Sequence, residues 1–257
     1  MPFHVVIPAR YASTRLPGKP LLEIAGRPMI QHVVERACAS GAHEVLVATD
    51  DARIAAAVQD PRRPGVPIAV MTDAALPSGT DRVAAVAQAR GWSDATLVVN
   101  VQGDEPFLPE ALIDQAAALL DRDAAAGIAT LATPVTSLEE FLDTNAVKVV
   151  VSRDGAALYF SRAPIPWTRE GAPAGLPSQR EFGGALRHVG LYAYRVGVLR
   201  QVTRLPPSAL EQCEKLEQLR ALEHGIRIAV AECIERPAPG VDTPEDLERA
   251  RTRAAGG

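Results

Sequence analysis

The run Val5-Val6-Ile7, continued without a break by Pro8-Ala9-Arg10-Tyr11-Ala12-Ser13-Thr14-Arg15-Leu16-Pro17-Gly18-Lys19-Pro20, decides how this chain is read. Three consecutive β-branched apolar residues predict a buried strand. The strand empties into a loop with three fixed cations, Arg10, Arg15 and Lys19, and open α/β sheets bind ligands at the carboxyl ends of their strands. Such a cluster is an address for a polyphosphate, although the segment alone also reads as a solvated basic loop. Spacing excludes two familiar phosphate loops. A dinucleotide fingerprint needs G-x-G-x-x-G and a P-loop G-x-x-x-x-G-K-[ST], whereas here Gly18 stands alone before Lys19 and Pro20 closes the loop. Side-chain cations must do much of what backbone amides do in those folds.

Outward from this strand, residues 44–48, 68–71, 97–101 and 128–132 repeat the short β-branched pattern, with amphipathic stretches between them. That alternation predicts an α/β fold with a parallel sheet and crossover helices. Met29, Ile30, Val33, Val34, Ala37 and Cys38 have the spacing of a helix with one buried face, opened by Pro28 and stopped at Gly41. Ser78-Gly79-Thr80-Asp81 opens a second helix and Pro109 a third. Residues 60–67, with three prolines, predict a surface turn.

After residue 140 the texture changes. Residues 147–151 and 157–160, joined by Ser152-Arg153-Asp154-Gly155, predict a hairpin. Residues 168–184 are rich in Gly and Pro and read as a mobile loop. Residues 188–194 predict a strand, 211–224 a helix and 226–231 a strand, which together extend the sheet and add a subdomain. At 257 residues one large domain (1–257) with an appended segment suits the chain, and disorder is expected only over residues 253–257.

A net charge of −4 gives no general attraction for nucleic acid or an anionic membrane, so any anion site must be local. Cys38, Cys213 and Cys233 are odd in number and lack C-x-x-C spacing, which reads as reduced thiols in a cytoplasmic protein without a zinc site. No apolar stretch approaches the roughly 18 residues of a membrane span, and Arg10 and Arg15 come too early for a signal peptide.

Two acidic segments carry candidate chemistry. Val99-Asn100-Val101-Gln102-Gly103-Asp104-Glu105-Pro106 puts Asp104 just past a buried strand, at the sheet edge that bears the basic loop. There a carboxylate beside a triphosphate serves best as a Mg²⁺ ligand, and it is too far from Pro109 to cap the helix that follows. In Gly240-Val241-Asp242-Thr243-Pro244-Glu245-Asp246, Thr243 is the N-cap, Pro244 the first helical residue and Asp246 the capping-box partner. Asp242 is left without a structural role, and the sequence leaves solvation and function equally open for it. A further polar set comprises Arg162, Arg169, His188, Tyr192, Glu217 and Gln218. His188 and Tyr192 share a strand face, while for Glu217 and Gln218 the stronger reading from the residues alone is the polar side of a helix buried through Cys213, Leu216 and Leu219.

In their order, Ile7–Pro20, Ala48-Thr49-Asp50, Ser78-Gly79-Thr80-Asp81-Arg82, Asn100–Pro106, Tyr159-Phe160-Ser161-Arg162, Leu216-Glu217-Gln218-Leu219 and Gly240-Val241-Asp242-Thr243-Pro244 resemble the CMP-KDO synthetases, or 3-deoxy-manno-octulosonate cytidylyltransferases. The resemblance covers nearly the whole chain. It implies a nucleotidyltransferase fold with a mixed, mainly parallel sheet of about seven strands, a homodimer, and Mg²⁺-dependent transfer of CMP from CTP to an acidic eight-carbon sugar for lipopolysaccharide biosynthesis. It further implies a nucleotide-binding part over 1–133, a sugar-binding and dimerisation part over 140–235, and a metal loop with a C-terminal helix over 236–257. By analogy Ala9, Arg10 and Gln102 hold cytosine, and Ser78, Gly79 and Arg82 complete the nucleotide site. Arg15 and Lys19 grip phosphates, Asp104 and Asp242 hold metal, and Arg162, Arg169, His188, Tyr192, Glu217 and Gln218 surround the sugar and its carboxylate.

Residues 60–67 and 168–186 depart from the family pattern in length and composition, which bears most on Arg169; the second segment is expected to close over the sugar as a lid. The implied chemistry is in-line attack of the anomeric hydroxyl on the α-phosphorus of CTP, with no protein nucleophile. Two rivals remain: a CMP-sialic acid synthetase or sugar-1-phosphate nucleotidyltransferase, and a catalytically silent nucleotide-binding module.

Overall fold

The computed structural model describes residues 2–12, 16–172 and 174–256. In its first half the chain runs β1 (Phe3–Ala9), the small antiparallel pair β2 (Glu23–Ile24) and β3 (Arg27–Pro28), α1 (Met29–Ala39), β4 (Glu44–Thr49), α2 (Ala52–Ala56), β5 (Ala69–Met71), α3 (Gly79–Ala89), β6 (Leu97–Asn100), α4 (Glu110–Arg122) and β7 (Ile128–Pro134). There follow α5 (Leu138–Leu142), β8 (Lys148–Val151), β9 (Ala157–Ser161), β10 (Leu186–Arg195), α6 (Val196–Arg204), α7 (Ala209–Glu214), α8 (Gln218–Glu223), β11 (Ile228–Glu232) and α9 (Pro244–Ala255).

Seven strands form the main path, in the order β11-β7-β10-β6-β1-β4-β5, and the β8–β9 hairpin attaches to β10. All neighbours on that path are parallel except β10, which is antiparallel to both β6 and β7. Alternation along the strands sends side chains to two faces. Val5, Ile7, Val45, Val47 and Val99 meet α1 and α4 on one side, while Val6, Leu46, Ala48 and Val98 meet α3 and α6 on the other. The result is a three-layer α/β fold with the sheet buried on both faces, as the near-continuous apolar strands require.

The second half does more than extend this sheet. β11 does add an edge strand beside β7, but β10 enters the middle, between β6 and β7. Val189, Leu191, Ala193 and Tyr194 are all buried there, the first three on the α1/α4 side of the sheet and Tyr194 on the α3/α6 side. The pairing shifts register between Val189 and Tyr192, so β10 is kinked where it passes the carboxyl end of β6.

Several local expectations need correction. The helix expected over 211–224 is broken into α7 and α8, with Lys215 in the left-handed region at φ 54°. α7 buries none of its residues, so no apolar face keeps the two in register, and Arg220 instead ties them through Glu211 at 2.8 Å. Residues 61–67 are exposed and form the expected surface turn, anchored at its start by Asp60, which is fully buried and takes hydrogen bonds from Arg62 and Cys38. Burial opposes the Asp60 carboxylate, yet those hydrogen bonds hold its pKa below the ordinary carboxylate range. The helix α1 closes on Ser40 rather than Gly41, the Ser40 hydroxyl donating to the Ala37 carbonyl at 2.7 Å. α9 extends to Ala255, well into the segment expected to be disordered.

Candidate active site

The carboxyl ends of β1 and β6 open into a cleft of about 450 Å³ lined by Pro8, Ala9, Arg10, Ala12, Lys19, Pro20, Gln102, Gly103, Asp104 and Asp242. Its floor depends on two glycines. Gly18 stands at φ 67°, a left-handed conformation that lets the chain turn into the 3-10 turn Lys19–Leu21 and aim Lys19 inward. At Gly103, a Cβ would lie 2.9 Å from the Pro8 carbonyl oxygen, so only glycine allows β6's exit loop to pass this close to β1. Gln102 then reaches the kinked segment of β10, donating to the Gly190 carbonyl at 3.5 Å.

At the centre Lys19 donates to Asp104 at 2.6 Å and to Asp242 at 2.9 Å. Residues 85 and 223 positions away from Lys19 thus meet at one ammonium group. Burial lowers the Lys19 pKa, but the two carboxylates outweigh it and the net shift is upward. Asp242 can face the cleft because the helix start is satisfied without its side chain: Thr243 and Asp246 form the capping box of α9, as its sequence implies. Glu105, not among the candidates drawn from sequence, is a carboxyl beside Asp104 whose pKa rises to about 7, through burial first and the Asp104 charge second. Only its adjacency to Asp104 signals it in the sequence.

The other nucleotide candidates gather nearby without lining that cleft. Ser78 caps α3, accepting from the Asp81 amide at 3.1 Å, and Gly79 packs against Pro8. Arg82 is fully buried, donating to Asp50 at 2.7 Å and Thr72 at 2.6 Å, so its guanidinium braces the β4 and β5 exits instead of facing the cleft. Arg15 lies outside the described residues.

The expected sugar set is divided. Tyr192, Glu217 and Gln218 line a small cavity of about 120 Å³ with Thr80 and Tyr194, and the Thr80 hydroxyl donates to Glu217 at 2.6 Å. His188 adjoins it, its ring 5.2 Å from that of Tyr192 and its Nε2 2.9 Å from the Thr130 hydroxyl. Arg162 is spent on the carbonyls of Glu214 at 2.7 Å and Thr144 at 2.9 Å, holding the β9 exit to α7 and the approach to β8. Arg169 is exposed and has no hydrogen bond among the described residues. The 168–184 segment carries a 3-10 turn at Leu176–Ser178 and a fully buried Gln179, so it is anchored at that point.

Burial, with the Arg187 charge adding to it, lowers the His188 pKa from 6.5 to about 3. His188 is therefore expected to stay neutral, a hydrogen-bonding group and not an acid or base. A native imidazole that cannot take a proton while the unfolded one can makes stability fall as pH drops from 6.5 towards about 3. An NMR titration over about pH 5 to 8 should show no protonation of this ring in the native state; a midpoint near its ordinary value would contradict the burial argument.

Together the three-layer fold and a cation-and-carboxylate cleft at its strand ends define a protein of the nucleotide-handling α/β class. A cytidylyltransferase family profile matches residues 4–228, and the chain belongs to that family. It is 56 % identical over 253 residues to the 3-deoxy-manno-octulosonate cytidylyltransferase of Xanthomonas euvesicatoria pv. vesicatoria, covering 98 % of this chain and 96 % of that protein. Against the enzyme of the same name from Methylococcus capsulatus the identity is 54 %, over 99 % of this chain and 97 % of the other. The solved structure of CMP:2-keto-3-deoxy-manno-octonic acid synthetase complexed with CTP matches with a TM-score of 0.86 at 44 % identity, covering 100 % of this chain and 99 % of that one. The 2-C-methyl-D-erythritol 4-phosphate cytidylyltransferase of Thermus thermophilus, 18 % identical with a TM-score of 0.58 over 99 % of this chain and 100 % of that one, shares the fold.

Proposed function

We propose that the chain transfers CMP from CTP to the anomeric hydroxyl of 3-deoxy-D-manno-octulosonate (KDO), releasing pyrophosphate. The observation that carries this reading is the convergence of Lys19, Asp104 and Asp242 in the cleft that also holds Ala9, Arg10 and Gln102. Ala9, Arg10 and Gln102 bind the cytosine end, and Lys19 with Arg15 counters phosphate charge. Tyr192, Glu217, Gln218 and the neutral His188 orient the sugar, with Arg169 on its carboxylate side and Arg162 bracing the backbone beside it through the Glu214 and Thr144 carbonyls. Ser78, Gly79 and Arg82 support the nucleotide site, Arg82 by fixing the loop beneath it.

The two aspartates suit Mg²⁺, which is commonly held by one or two carboxylates plus substrate phosphates and not by a dedicated all-protein cage. When bound, Mg²⁺ neutralises triphosphate charge and activates the attacking hydroxyl. No side chain is required as a nucleophile.

No helix among the described residues is long and apolar enough to cross a membrane. All three cysteines are free, which suits a reducing compartment, and the reading places the reaction in the cytoplasm. It includes a homodimer, for which Leu158 on β9, 60 % exposed, offers an apolar contact. Pyrophosphate release should be measured with each of four nucleoside triphosphates against KDO, a sialic acid and sugar 1-phosphates. Release with CTP and KDO, lost on chelation and restored by Mg²⁺, is expected. Release only with a sialic acid or a sugar phosphate would overturn the substrate assignment, and none with any pair would leave only nucleotide binding.

A further inference from the structure

Only three of the 27 basic residues of this chain are lysines: Lys19, Lys148 and Lys215. One of them stands between the two aspartates of the cleft. Its side chain is 12 % exposed, against 33 % for Asp104 and 49 % for Asp242, so the ammonium is the most enclosed member of the trio. An arginine would present a wide planar fork to these carboxylates, whereas an ammonium is a compact point charge on a flexible stem. It meets one oxygen of each aspartate at 2.6 and 2.9 Å. A Mg²⁺ bound by the same oxygens would sit about 2.0–2.1 Å from each, in the space that the ammonium takes up.

We propose that Lys19 is a built-in, exchangeable counter-ion: it holds Asp104 and Asp242 together in the nucleotide-free protein and must swing aside before a divalent cation can bind both. The inference rests on the metal assignment made above. Its consequence is coupling. The lysine stem is long enough to leave the carboxylates while staying in the cleft, and the displaced ammonium finds a new partner in the phosphates of an incoming nucleotide. A divalent ion arriving alone displaces Lys19 without offering it that partner, and so binds weakly. An ion arriving with a triphosphate exchanges one set of charge pairs for another. The metal site is thereby kept assembled yet discriminates against free divalent ions.

The test is Mn²⁺ binding to the nucleotide-free protein, read from the EPR signal of free Mn²⁺. Lys19→Met, similar in length and uncharged, is expected to bind Mn²⁺ more tightly than the natural protein by about tenfold or more, a size typical of coupling between sites. Adding Asp104→Asn to Lys19→Met should abolish the gain. Equal or weaker Mn²⁺ binding by a folded Lys19→Met protein overturns the proposal. Asp104→Asn alone, assayed with Mn²⁺ and CTP, separates the two failures. If it leaves ion binding unchanged, the metal assignment falls and the counter-ion role with it; if it weakens binding while Lys19→Met gives no gain, only the counter-ion role falls. Should Lys19→Met fail to fold, ¹⁵N-lysine NMR of the natural protein decides, with signals assigned through Lys148→Arg and Lys215→Arg. The Lys19 Nζ resonance must move when Mg²⁺ and CTP are added together, and an unmoved resonance overturns the proposal.

Discussion

Asp104→Asn is expected to lower turnover with CTP and KDO about 10²–10³-fold, the loss typical of removing one group that stabilises charge in a transition state. The substitution keeps the side chain's shape and removes its charge. Asp104 is one-third exposed and its ion pair is with Lys19, itself a residue of the cleft, so the fold has little reason to change. Far-UV circular dichroism and the thermal midpoint should therefore stay near those of the natural protein. Asp242→Asn should act in the same direction and less strongly, because its side chain is 49 % exposed and solvent screens more of its charge. Near-normal turnover by Asp104→Asn would remove this carboxylate from the mechanism.

The second large effect is on stability. Arg82→Ala is expected to cost about 3–5 kcal/mol, the usual penalty for removing one partner of a buried ion pair. Arg82 is fully buried, Asp50 is 16 % exposed, and the guanidinium also serves the Thr72 hydroxyl and the Asp73 carbonyl. Truncation would strand all three acceptors and leave a void at the base of α3. Urea unfolding measures the loss. Arg82→Lys should recover part of it, since an ammonium keeps the charge but cannot span Asp50 and Thr72 as the planar fork does. A cost below about 1 kcal/mol for Arg82→Ala would fit an exposed pair and not this one. Because α3 begins at the nucleotide site, nucleotide affinity should fall along with stability.

These two residues illustrate what motif reading can and cannot supply. Asp50 and the segment from Ser78 to Arg82 are both legible as family motifs, yet nothing in one dimension says that Asp50 and Arg82 meet each other instead of a ligand. Ion pairing across 32 positions is decided by where β4 ends relative to α3. Arg162 is similar: its strand position is readable, but its capture by the Glu214 and Thr144 carbonyls follows from the break between α7 and α8. The sequence hides that break because Leu216 and Leu219 continue a helical apolar spacing while α7 contributes no buried residue. It hides the burial of Asp60 among prolines, which mark a turn but do not say which way its first side chain points.

By itself the sequence determined the α/β class, the strand and helix periodicities of the first half, the capping box that leaves Asp242 to the cleft, and the glycine-lysine-proline turn that ends the basic loop. These are local properties, fixed by side-chain branching, spacing and φ preference within a few residues. Tertiary structure alone decided that β10 inserts between β6 and β7, that Arg82 goes to the core, and that Lys19 lies between Asp104 and Asp242. Such contacts depend on how strand ends are brought side by side when both faces of the sheet are buried, and no short window of sequence carries that information.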